Sequence, residues 1–140
     1  TMLQLARERE EVRVVSDQFG CPTYAGDIAD TLLNLVGRST EIDANDAWGT
    51  YHYCGTPVTT WHNFVSAIIE QAQTFEALRV QTITAIATAD YPTPAARPAN
   101  SVLDSSRLSF CFGILPRPWR DGLHALLVAL HADGSKRPAG

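Results

Sequence analysis

The sequence predicts an α/β or α+β domain, and three observations predict it. Runs rich in β-branched residues, "VRVVSDQF" and "VQTITAIAT", read as strands. Apolar residues recur at helical spacing in "GDIADTLLNLVGR", "TTWHNFVSAIIEQAQ" and "PWRDGLHALLVAL". The two kinds of segment alternate along 140 residues without an internal repeat, the pattern of mixed layered folds.

Taken in order, "TMLQLARERE" is amphipathic from its start, with Met2, Leu3, Leu5 and Ala6 on one side and Arg7, Glu8, Glu10 and Glu11 outward. No capping residue precedes it, so its first N–H groups lack an evident partner and a piece of a longer chain is expected. "VRVVSDQF" follows as a strand, stopped by Gly20 and the donor-less Pro22. In the next helix Ile28, Leu32 and Leu35 or Val36 form the apolar face, and Gly37 stands where a C-terminal cap belongs. "GTYHYCG" reads as a short strand with Tyr51 and Tyr53 on one face and His52 and Cys54 on the other. The strongest helix presents Trp61, Phe64, Val65, Ile68, Ile69 and Ala72 on one side, capped by Thr59 or Thr60. "VQTITAIAT" is a strand again, leading into a proline-rich loop. Extended "NSVL" then precedes a short helix that Asp104 caps and Gly113 ends. The last helix is expected to bury Trp119, Leu123, Leu126, Leu127 and Leu130. The domain is assigned to residues 1–131, with 132–140 as a disordered tail.

With 45% hydrophobic residues the chain can bury one ordinary core. A net charge of -4 and a pI near 5.4 argue against a nucleic-acid-binding surface. No apolar run approaches the ~18 residues of a membrane span, so neither nucleic acid nor membrane is expected as a partner. Cys21, Cys54 and Cys111 are odd in number and widely spaced, which fits a reducing cytoplasm rather than a disulfide framework.

Catalytic signatures are few. His52, His62, His124 and His131 lack the spacing of a closed metal site, and no metal is expected. There is no G-x-S-x-G elbow, and Cys21 reads more readily as a small residue filling a gap than as a nucleophile. Trp61 could offer a plate to a base, but its place on the apolar face favours core packing. No glycine-rich dinucleotide turn is present. A Tyr-x-x-x-Lys pair is excluded too, since the sole lysine, Lys136, has Ala132 four positions before it.

Two loops that follow strands remain. "DQFGCPT" offers Asp17, Gln18 and Thr23, and "YPTPAARPANS" offers Tyr91, Thr93, Arg97 and Asn100. Proline fixes φ near -65°, so the second loop is stiffened before any ligand arrives, which lowers the entropy lost on binding. Its guanidinium suits a diphosphate, because a planar fork donates two parallel hydrogen bonds. The alternative is a plain connector in which Arg97 pairs with a nearby carboxylate.

At these loops the chain resembles the dTDP-4-dehydrorhamnose reductase family of extended short-chain dehydrogenases/reductases. The matching words are "VVSDQFGCPT", "DIAD", "GTYHYCG", "TTWHNF", "TADYPTPAARPANSVLD" and "PWRDGL", in the family's order. The resemblance covers only the family's C-terminal, substrate-binding part, so the fold implied is that portion without the N-terminal Rossmann half. It implies an enzyme that reduces dTDP-4-dehydro-L-rhamnose to dTDP-L-rhamnose with NADPH (or NADH) in the biosynthesis of cell-surface polysaccharide. Catalytic and cofactor-binding residues would lie in the absent half, so the chain alone would be inactive and would bind no cofactor. Substrate-binding residues carried over are Gln18, Gly20, Pro22, Thr23, Arg97 and Asn100, with Ser101 supporting the loop. The implied partners are the dTDP-sugar, the Rossmann half and a second copy in a homodimer. Some members hold magnesium between subunits through glutamates; the position that resembles one of those carboxylates is Gly26 here, so that site is not carried over. The alternative implied by the same fold is a non-catalytic module similar to the regulatory subunit of methionine adenosyltransferase.

Overall fold

The computed structural model describes residues 1–38 and 48–134. Its elements are α1 (Met2–Glu8), β1 (Glu11–Val15), β2 (Phe19–Gly20), α2 (Ala25–Arg38), β3 (Thr59–Thr60), α3 (Trp61–Ala72), β4 (Thr82–Ile86), α4 (Ser106–Phe112) and α5 (Trp119–Gly134), with a 3₁₀ turn at Thr88–Asp90. β1 and β4 pair in parallel, Glu11 opposite Thr82 through Val15 opposite Ile86. β2 and β3 form a small antiparallel pair. The mixed α/β character expected from the sequence is present.

Two apolar clusters meet on α3. One joins Ala6 of α1, Val12 and Val14 of β1, Val65 and Ile69 of α3, and Val80. The other joins Ala67 and Ala72 to Trp119, Leu123 and Leu127 of α5. The Phe64 ring meets Trp119 edge-on at 5.5 Å. Thr60 caps α3 by accepting a bond from Asn63 N–H at 3.2 Å. Gly113 ends α4 at φ 64°, a left-handed conformation that glycine adopts without a Cβ penalty. Asp104 accepts from Ser106 N–H at 2.9 Å, as expected of a carboxylate at that helix start.

Several expectations are corrected. The strand read through Phe19 stops at Val15, because Asp17 and Gln18 turn their side chains to Thr88. Gly37 lies within α2 rather than capping it. The apolar side of α2 faces outward, with Ile28 41%, Leu32 57% and Val36 71% exposed, while Asp27 and Thr31 are buried. Asp27 turns inward because Arg117 bridges it and Asp30 at 2.9 and 2.8 Å. "GTYHYCG" forms no strand: its backbone bonds to side chains instead, Gly55 N–H donating to Thr23 Oγ1 at 3.0 Å and Thr50 O accepting from Arg107 Nη1 at 3.2 Å. On α5, Leu126 and Leu130 are exposed, since the core contacts only the face of Trp119, Leu123 and Leu127. That helix also runs to Gly134, into the stretch read as a tail; residues 135–140 lie outside the described residues.

Candidate functional site

Parallel pairing of β1 with β4 brings their C-terminal ends, and the loops that leave them, side by side. In open α/β sheets ligands settle outside these ends. The two loops are then fastened together. The Asp17 carboxylate accepts from Thr88 N–H at 3.0 Å and from Thr88 Oγ1 at 2.6 Å. Those bonds, the hydroxyl first, hold its pKa below the usual aspartate range. Gln18, only 6% exposed, donates from Nε2 to Thr88 Oγ1 at 3.1 Å. Farther along, Phe19 N–H donates to Ala99 O at 2.8 Å and Ser101 N–H to Phe19 O at 2.9 Å. The strand-like contact of Phe19 with Asn100 runs parallel.

Two clefts, each of about 350 Å³, open along this seam. The first is lined by Gln18 and Arg97 together with Arg13, Tyr91, Thr93 and Trp61, and no carboxylate lines it. Neither Arg13 nor Arg97 forms an ion pair among the described residues. The second is lined by Gly20, Pro22 and Thr23 with Tyr53, Ser101 and Leu103, and no charged side chain lines it. Trp61 and Phe64 border both. A broader depression of about 640 Å³ on α2, lined by Asp30, Asn34 and Arg38 among others, includes nothing from either loop.

The expected site residues therefore separate by location. Gln18 and Arg97 share the charged cleft. Gly20, Pro22 and Thr23 border the neutral one. Gly20 lies close against the second loop, since a Cβ there would stand 2.9 Å from Ser101 Oγ. The Thr23 hydroxyl is engaged within the protein, donating to Cys21 O and accepting from Gly55 N–H, both at 3.0 Å. Asn100 lines neither cleft; its Oδ1 accepts from Val102 N–H at 3.0 Å and shapes the loop. Cys21 also borders the neutral cleft, where burial first and then its bond with Cys54 push the thiol up to about 11, opposing a thiolate. Among the described residues no cluster of His, Cys, Asp and Glu could hold a metal ion.

Two cleft-lining residues, Arg13 and Trp61, were not among the expected site residues. Arg13 sits between two buried valines on a strand, an alternation that marks it as outward but not as cleft-lining. Trp61 stands at the first position of α3, where the apolar stripe leaves the core; it is half exposed and separates the clefts.

Comparison with known proteins adds the following. Residues 1–132 match the family described as RmlD substrate binding domain. A dTDP-4-dehydrorhamnose reductase of Aggregatibacter actinomycetemcomitans is 43% identical over 88% of this chain and 42% of its own length. One from Burkholderia thailandensis is 42% identical over 86% of this chain and 42% of its own. Among solved structures, the Clostridium acetobutylicum dTDP-4-dehydrorhamnose reductase superposes with a TM-score of 0.79 at 28% identity, over 92% of this chain and 42% of that one. The Bacillus anthracis enzyme, solved in complex with NADP, gives 0.75 at 30% identity, over 91% and 41%. The chain thus spans about two fifths of the length of these relatives.

Proposed function

The chain belongs to the RmlD substrate binding domain family, and on that premise we propose that it forms the sugar-nucleotide half of a dTDP-4-dehydrorhamnose reductase. The whole enzyme would reduce dTDP-4-dehydro-L-rhamnose to dTDP-L-rhamnose, with NADPH or NADH delivering hydride to the C4 ketone. One observation carries this reading: Gln18 and Arg97, from loops after adjacent parallel strands, line one cleft that contains no carboxylate. A diphosphate is matched by such a cleft, and the aromatic rings of Trp61 and Tyr91 suit a planar base.

Within this chain the work is binding and orientation. The clamp of Asp17 and Gln18 on Thr88 fixes the first loop against the second, so the ligand meets a preformed wall. Gly20 and Pro22 set the backbone beside the neutral cleft, where the uncharged part of the ligand is accommodated. The described residues do not fit a dinucleotide. β1 leads into β2 and β4 into a 3₁₀ turn, so neither strand passes through a glycine-rich turn into a helix whose N-terminus could hold a pyrophosphate. Our reading therefore assigns the cofactor and the proton-transferring Tyr-x-x-x-Lys pair to a Rossmann half outside this sequence, and the isolated chain to be inactive.

Steady-state kinetics test it. In a full-length reductase carrying this chain, Arg97→Ala should raise the KM for the dTDP-sugar about tenfold or more, the loss of one charge-assisted contact, with NADPH affinity unchanged. Unaltered sugar kinetics would remove Arg97 from the site.

A further inference from the structure

We propose that Arg13 is a second anion-binding residue of the charged cleft and holds the ligand's diphosphate jointly with Arg97. The inference rests on the sugar-nucleotide reading above and adds a residue to it. Arg13 occupies an exposed position at the middle of β1 and lines the same cleft as Arg97. The contrast with other arginines is informative. Arg7, Arg79 and Arg117 are paired with carboxylates. Arg38 and Arg107 donate to backbone carbonyls, and Arg120 lies over the Trp119 ring. Arg13 and Arg97 have no such partner among the described residues. Arg9 is also unpaired, but it borders neither cleft.

Among the described residues neither adjacent carboxylate forms an ion pair with Arg13 or Arg97. Glu11 accepts from the Thr84 hydroxyl, and Asp17 is turned to Thr88. Two guanidiniums in one cleft repel each other until an anion joins them, and this chain, at -4 overall, has no surplus of cations to scatter there. A diphosphate carries enough charge and enough acceptor oxygens to engage both forks at once, whereas one phosphate monoester does not need two.

The test is calorimetric titration of the 140-residue chain with dTDP and, separately, with inorganic pyrophosphate, at several salt concentrations. Arg13→Gln should weaken both ligands about tenfold and flatten the salt dependence, with Arg13→Lys falling between wild type and Gln. An unchanged thermal midpoint in each variant shows that the fold is intact. Wild-type dTDP affinity in Arg13→Gln, with affinity lost in Arg97→Gln, would overturn the role of Arg13 and leave the cleft assignment standing. Pyrophosphate binding as tight as dTDP, still weakened by Arg13→Gln, would support Arg13 and sink the nucleotide reading. Failure of wild type to bind either ligand would overturn both.

Discussion

Glu76 illustrates how single residues fasten this chain. It sits beyond α3 and accepts two bonds from Arg7 of α1, both at 2.7 Å, while His131 Nε2 of α5 lies 3.0 Å away. The Arg7 bond, followed by that of His131, lowers the Glu76 pKa from 4.5 to about 2. The His131 pKa is raised above 6.5, first by its bond to Leu127 O and then by Glu76. A depressed carboxylate contributes stability that is complete above pH 4.5 and fades as pH falls towards 2. A raised histidine contributes fully below pH 6.5 and loses its share as pH rises through its folded value. The melting temperature should therefore peak between these limits, and Glu76→Gln should flatten both flanks. Identical profiles for wild type and variant would show that the trio is not coupled to folding.

At the scale of elements, the seating of α5 depends on a close approach. A Cβ on Gly122 would stand 2.4 Å from Tyr24 Cβ, just before α2, and Tyr24 Cβ cannot yield without its backbone. Alanine in a helix ordinarily gains about 1 kcal/mol over glycine. Here overpacking, about 1–3 kcal/mol, should win, so Gly122→Ala should lower the denaturation midpoint. A higher midpoint would mean that α5 stands farther from Tyr24. Elements also show what a sequence makes legible. The Thr60 cap, the Gly113 stop and the span of α3 were readable because each depends on residues a turn apart. The burial of α2 was not: periodicity finds an apolar stripe, but only the Asp27–Arg117 contact across the fold decides which face turns inward. "GTYHYCG" alternates like a strand, yet a ladder needs a neighbour, and local pattern does not supply one.

For the whole molecule, the arrangement is that of a wall rather than a closed vessel. Among the described residues its larger sheet has two parallel strands, and parallel sheets are ordinarily wider and covered on both faces. The chain spans about two fifths of its relatives' length, which agrees with such a partial architecture. The candidate site was half legible. Proline stiffening, the lone loop arginine and the "DQFGCPT" words pointed to both loops, and parallel pairing set them side by side. Arg13 escaped because its place in the cleft depends on segments far away in sequence. Asn100 stands apart from both clefts, and a polar side chain in a loop looks the same in sequence whether it meets a cleft or its own backbone.

The most direct test of the central claim is residue-resolved: NMR amide shifts of the isotopically labelled chain during titration with dTDP. The account predicts saturable shifts concentrated in residues 16–23 and 88–101, including Gln18, Thr88 and Arg97, with α2 and the end of α5 silent. Shifts gathered on α2 instead, or none at millimolar dTDP, would contradict it.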